Sequence, residues 1–265
     1  MTFPEFPRVI YKRNPLREVI CQLRYPPILR IEQQKPVTFQ EQIRHRYPLY
    51  SEHNPSPIGE DLPPGIAKLV QEHFGGAGSL LIHNFRTEDE IWKVGLAKDF
   101  LSLLTSRYHT WDEFKENFAE PCRALYDEYA PSFIHRVGLR YRDVIQRSLL
   151  GLQKSPWSKL INAPFAGELA DEMLGDKVKQ AERRVRLPLP ENLGFVQIHH
   201  GLTQIEGDGG DKEECFLLDY DFYTEQKTEL SDANQRLDQF NRLARSLFRH
   251  CITTELHHAM EPKQA

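Results

Sequence analysis

Cysteine is scarce in this 265-residue chain, and long apolar runs are missing. The four cysteines, Cys21, Cys122, Cys215 and Cys251, form no CxxC pair. Structural zinc sites usually draw ligands from such a close pair, so none is expected. Each cysteine sits in an apolar-periodic stretch, as buried free thiols of a reducing compartment do. No apolar run approaches the length of about 18 residues that a membrane-spanning helix needs. Residues 1–7 carry Glu5 and two prolines without a basic-then-apolar pattern, so they do not read as a signal peptide. The expected compartment is the cytoplasm, with no membrane partner. Motifs that name a chemistry are also missing. There is no GxSxG nucleophile elbow, no HExxH zinc helix and no spaced-glycine dinucleotide turn. Gly75-Gly76-Ala77-Gly78 lacks a following Lys-Ser/Thr and reads as a flexible turn rather than a phosphate loop. No cofactor and no metal is expected.

What is present is globular in composition: 40% hydrophobic, 27% charged and 11% aromatic residues. Lys plus Arg is 34 and Asp plus Glu is 38, a net charge of −4. That excludes a globally basic nucleic-acid binder, although not a local basic patch. A nucleic-acid partner is therefore unsupported by the charge balance.

Periodicity outlines the elements. Residues 16–25 alternate as a strand, and Pro26-Pro27 ends it. Residues 38–47 predict a short helix capped by Thr38 with Glu41 completing a capping box; Phe39, Ile43 and Tyr47 share its apolar side. The proline-rich stretch 48–65 predicts a loop. Strands are expected at 80–85 and 91–96, with 100–104 either extending the second or forming a third. A helix capped at Thr110 follows, with Pro121 kinking it or marking an irregular start to its second half. Residues 133–144 form the most distinctive strand. A short helix is expected at 158–174, then strands at 184–189, 195–203 and 215–223, the last preceded by the turn Gly207-Asp208-Gly209-Gly210. A long helix capped by Ser231 or Asp232 carries an apolar stripe as far as Leu256. The pattern is α+β: antiparallel sheets covered on one side by helices. The chain reads as a single domain over 1–265. Two similar β-rich halves, 16–150 and 181–260, would each be closed by a long helix and joined by the irregular stretch 151–180.

The arginine strand is the sharpest functional feature. Arg136, Arg140 and Arg142 project to one side, with Gly138 between them, while Val137, Leu139 and Tyr141 project to the other. Asp219 and Asp221 share one face of their own strand. Three readings stay open: cross-strand neutralisation, a solvated face, or a groove for a phosphate, nucleotide or nucleic-acid ligand. Asp219 and Asp221 could instead place a divalent metal, with Glu206, Asp208 or Asp211 as further ligands. His199 could face the same rows. His257 and His258 end the last helix, where imidazoles suit the dipole.

The run Asn14-Pro15-Leu16-Arg17-Glu18-Val19-Ile20-Cys21-Gln22-Leu23-Arg24-Tyr25-Pro26-Pro27 resembles the N-terminal signature of a sporadically distributed bacterial family, about 250 residues long, the size of one or two domains. Tyr108, Trp111 and Phe114, and the stretch Arg136-Val137-Gly138-Leu139-Arg140-Tyr141-Arg142-Asp143, are similar to it as well. The family pattern has an Asn where this chain has Arg142-Asp143. The family is functionally uncharacterised, so the resemblance implies one continuous unit and no reaction, cofactor or site. The expected function is a non-enzymatic binding or regulatory protein, its ligand-binding residues Arg136, Arg140, Arg142, His199, Asp219 and Asp221 offered to an anionic ligand or protein partner. The alternative is a metal-assisted enzyme acting on a phosphate-containing substrate. A third is an assembly component, a homo-oligomer joined through the C-terminal helix.

Overall fold

The structure is a computed structural model that describes residues 4–53, 81–206 and 211–264. The turn at Gly207–Gly210 with Asp208, the glycines at 75–78 and the prolines at 55, 57, 63 and 64 lie outside the described residues. Along the chain the strands are β1 (Val9–Tyr11), β2 (Leu16–Arg24), β3 (Leu49–His53), β4 (Ile82–Arg86), β5 (Trp92–Ala97), β6 (Phe100–Thr105), β7 (Arg136–Ile145), β8 (Glu182–Pro188), β9 (Phe195–Glu206), β10 (Lys212–Thr224) and β11 (Pro262–Gln264). The main helices are α1 (Leu29–Gln33), α2 (Val37–Ile43), α3 (Trp111–Tyr129), α4 (Leu230–Cys251) and α5 (Thr254–Ala259). Antiparallel sheet packs against helix, so the fold class is α+β as the patterning predicts. Among the described residues no helix is long and apolar enough to cross a membrane.

The chain forms two compact units that interleave along the sequence: Met1–Val19, Val137–Gln226 and Leu230–Ala265 in one, Ile20–Arg136 and Lys227–Glu229 in the other. In the second unit β3, β4, β5 and β6 form an antiparallel meander. Helix α3 lies against it, with Phe114 packed on Trp92, ring centroids 5.7 Å apart. The Thr110 hydroxyl accepts from the Glu113 amide at 3.2 Å, the predicted cap. Two local expectations need correction. Helix α2 starts at Val37 after Pro36, so Thr38 is inside the first turn and caps nothing. The proline-rich stretch hides strand β3, because Leu49–His53 fits between prolines and pairs with β4. The helix α3 runs unbroken through Pro121. Proline has no amide hydrogen for the Asn117 carbonyl four residues back, and the buried Tyr47 hydroxyl donates to that carbonyl at 2.8 Å instead.

In the first unit β7, β10, β9 and β8 lie side by side, all antiparallel. Helix α4 packs on one face: Phe240 lies against Phe222 and Asn241 accepts from the Tyr141 hydroxyl at 2.9 Å. Leu230 begins α4, so Ser231 and Asp232 occupy its first turn, where a carboxylate suits the dipole. The apolar stripe continues to Leu256, but the helix stops at Cys251, and Thr253 caps α5 by accepting from the Leu256 amide. Between 151 and 180 the expected single helix is broken into short turns, since Pro164 and Gly167 interrupt it. All four cysteines are free thiols; Cys122 is half-buried and the other three are buried.

The substitution Tyr47→Phe takes the hydroxyl donor from the part-buried Asn117 carbonyl and should cost about 1–3 kcal/mol in urea unfolding. In a Pro121→Ala background, where residue 121 regains its amide, the same substitution should cost much less. Equal losses in both backgrounds would refute the compensation.

Candidate functional site

Strand alternation puts every second residue of β7 to β8 on one face, and the register decides which of them become neighbours. Two rows cross the sheet. One is Arg142, Asp219, His199 and Arg184; the next is Arg140, Asp221, Gln197 and Arg186. The same alternation sends Tyr141, Tyr220, Leu139 and Phe222 to the opposite face, where α4 covers them. The charged rows therefore occupy the face away from α4.

Within this array the closest pairing is diagonal. Asp219 stands opposite Arg142 in register, yet it binds Arg140: Nε and Nη2 donate to its two carboxylate oxygens at 2.7 and 2.6 Å. A long side chain reaches its diagonal neighbour easily on a twisted sheet. Arg140 is only 6% exposed and Asp219 4%. Arg142 instead reaches Glu18 of β2 at 3.4 Å. His199 Nε2 lies 2.8 Å from Glu182, which also pairs with Arg184 at 3.3 Å. Asp221 is buried directly opposite Arg140. Arg136, at the start of the same strand, is buried and donates to Gln22 at 3.4 Å; both belong to the second unit.

The structure thus brings Arg140, Arg142, Asp219, Asp221 and His199 onto one face. It joins Arg140 to Asp219 in a two-pronged ion pair. Both Asp219 oxygens face Arg140, which leaves them poorly placed to ligate a metal. Glu206 projects to the other face, seven residues along the strand pair from the Asp219 row, about 23 Å. Among the described residues no three His, Cys, Asp or Glu side chains cluster as a metal site.

Sequence reasoning overlooked three features. The first is Arg186 on β8. Its guanidinium lies 4.1 Å from the Phe195 ring centroid and 5.6 Å from that of Tyr223, with half of the side chain (51%) exposed. Its nearest carboxylate, Glu225, is 3.9 Å away, beyond hydrogen-bond distance, and no hydrogen bond uses its donors among the described residues. The second is the setting of β8. Residues 177–186 hold Lys177, Lys179, Arg183, Arg184 and Arg186 against the single carboxylate Glu182. That run was visible in the sequence, but the near-neutral total conceals it. The third is Asp143, which alternation sends under α4 among Tyr141 and Tyr220. It is buried, accepts from the Tyr220 hydroxyl at 2.8 Å and pairs with no cation among the described residues. Desolvation pushes its carboxyl up from 3.8 to about 7; the Tyr220 hydrogen bond opposes the shift and the Asp219 charge adds to it.

No protein-family model matches the chain, and no curated protein matches it.

Two outcomes follow from this geometry. Removing one member of the ion pair, by Arg140→Met or Asp219→Leu, should destabilise by about 3–5 kcal/mol in chemical denaturation, because the other charge stays buried and uncompensated. The double variant Arg140→Met with Asp219→Leu should recover most of that loss. Asp143 supplies a pH test. The folded chain holds a proton on it between about pH 4 and pH 7 that the unfolded chain has lost, so folding binds one proton in that window. Its contribution to stability is complete below pH 4, declines as pH rises to 7, and is flat above. The variant Asp143→Asn keeps an acceptor for Tyr220 and should lose this part of the slope in a series of melting temperatures. An unchanged slope would refute the assignment.

Proposed function

We propose that this protein is a non-enzymatic binding protein that offers the charged sheet face of its first unit, along β8 and β9, to an anionic partner. The observation carrying this reading is Arg186. Stacking on Phe195 holds a planar cation in place, so less side-chain freedom is lost when an anion binds its in-plane donors. Half of the side chain meets solvent, and its donors have no hydrogen-bond acceptor among the described residues. Arg184, also half-exposed, stands on the same side of the strand, two residues away. The fork of Arg140, in contrast, is taken by Asp219. An anion would have to displace a buried carboxylate to reach it, which is unfavourable next to an exposed stacked arginine. Arg140 and Asp219 therefore serve the site by holding the register that aligns Arg184, Arg186, Gln197 and His199.

Inorganic tripolyphosphate is a suitable first probe, followed through the arginine side-chain NMR signals. The Nε signal of Arg186 should shift and saturate, and that of Arg140 should stay still. Arg186→Ala should weaken binding by roughly tenfold, the equivalent of one charge-assisted hydrogen bond. A shift confined to Arg140, or none at Arg186, would overturn the proposal.

A further inference from the structure

Strand β8 is the outermost strand of its sheet, and among the described residues no strand pairs with its outer side. All its residues except Leu187 are exposed. A sheet edge offers a row of backbone donors and acceptors that another extended chain can pair with. Beside the start of this edge lies a groove of about 480 Å³. It is lined by the edge itself, Ala181 to Arg183, and by Leu174, Val178 and Glu168, which pairs with Arg183 at 2.6 Å. Leu174 is half-exposed at its rim. Edge, cationic run and groove are therefore contiguous.

We infer that β8 receives an acidic, extended peptide segment as an added antiparallel strand. The inference rests on the anion-binding reading above and names the partner class. Charge selects the occupant. A second copy paired edge to edge about Val185 would set Arg184 opposite Arg186 twice; paired about Arg184, it would set Arg184 opposite itself and offer Arg186 only Glu182, whose carboxylate already pairs with Arg184 and His199. A strand with carboxylates at alternate positions would instead face Arg184 and Arg186 on one side of the sheet. Its intervening apolar residues would fall on the side of Val185 and Leu187, and one of them can extend into the groove beside Leu174 and Val178. The backbone supplies affinity and the arginines supply selectivity, a division common to strand-addition sites.

The probe is a fluorescent synthetic peptide of alternating glutamate and valine, matched to the seven residues of β8. A second version is N-methylated at alternate amides, so that it cannot pair with the edge. The full-length protein should bind the parent peptide. N-methylation should weaken binding roughly tenfold or more, and so should the double variant Arg184→Glu with Arg186→Glu. Equal affinity for both peptides would overturn strand addition while leaving the anion-binding reading intact. Binding of tripolyphosphate or a single-stranded oligonucleotide without binding of the peptide would overturn it in the same way. If neither peptide nor tripolyphosphate bound, both readings would fall. The N-methylated control uses wild-type protein, so the result does not depend on how the variants fold.

Discussion

The buried fork between Arg140 and Asp219 is the constraint on which the charged face depends. Burying each charge costs several kcal/mol, and the cost is offset only when geometry is near ideal. Here both carboxylate oxygens are bound, at 2.7 and 2.6 Å. A slip of one residue between β7 and β10 would turn one partner towards α4 and leave a bare charge among tyrosines and phenylalanines. The ion pair therefore disfavours alternative registers as well as joining two strands. Everything further across the sheet inherits that alignment, including the placing of His199 beside Asp219 and of Arg186 beside Gln197.

The arginines of this face differ in availability. On β7, Arg140 is enclosed and Arg142 is half-buried and pairs with Glu18; on the edge strand, Arg186 is stacked, exposed and hydrogen-bonded to nothing among the described residues. The anion site is therefore assigned to the edge strand. Asp143 sits immediately behind the array on the helix side. Burial pushes its carboxyl up to about 7, so below that pH it adds little second charge close to Asp219.

Much of this was legible in the chain itself. Alternation from Val137 to Tyr141 placed the arginines on one face, and the aspartate strand showed the same period. The capping box at Thr110 was readable because its effect is local. The cap assigned to Thr38 was not, since Pro36 moved the start of the helix. Strand β3 was concealed between Pro48 and Pro55 because a strand's partner, here β4, is remote in sequence. The continuity of α3 through Pro121 needed Tyr47, a residue 70 positions away, to satisfy a carbonyl that no local pattern could provide.

Sequence alone determined the α+β class, the side of each strand on which its charged residues lie, and the absence of any recognisable catalytic motif, because periodicity and motif spacing are local properties. Only the tertiary structure decided which charges meet. Register is a relation between distant segments, and it brought Arg140 within reach of Asp219 in the neighbouring row. It also set Arg186 over Phe195 on a strand whose outer side pairs with no other strand among the described residues, which a near-neutral net charge could not reveal.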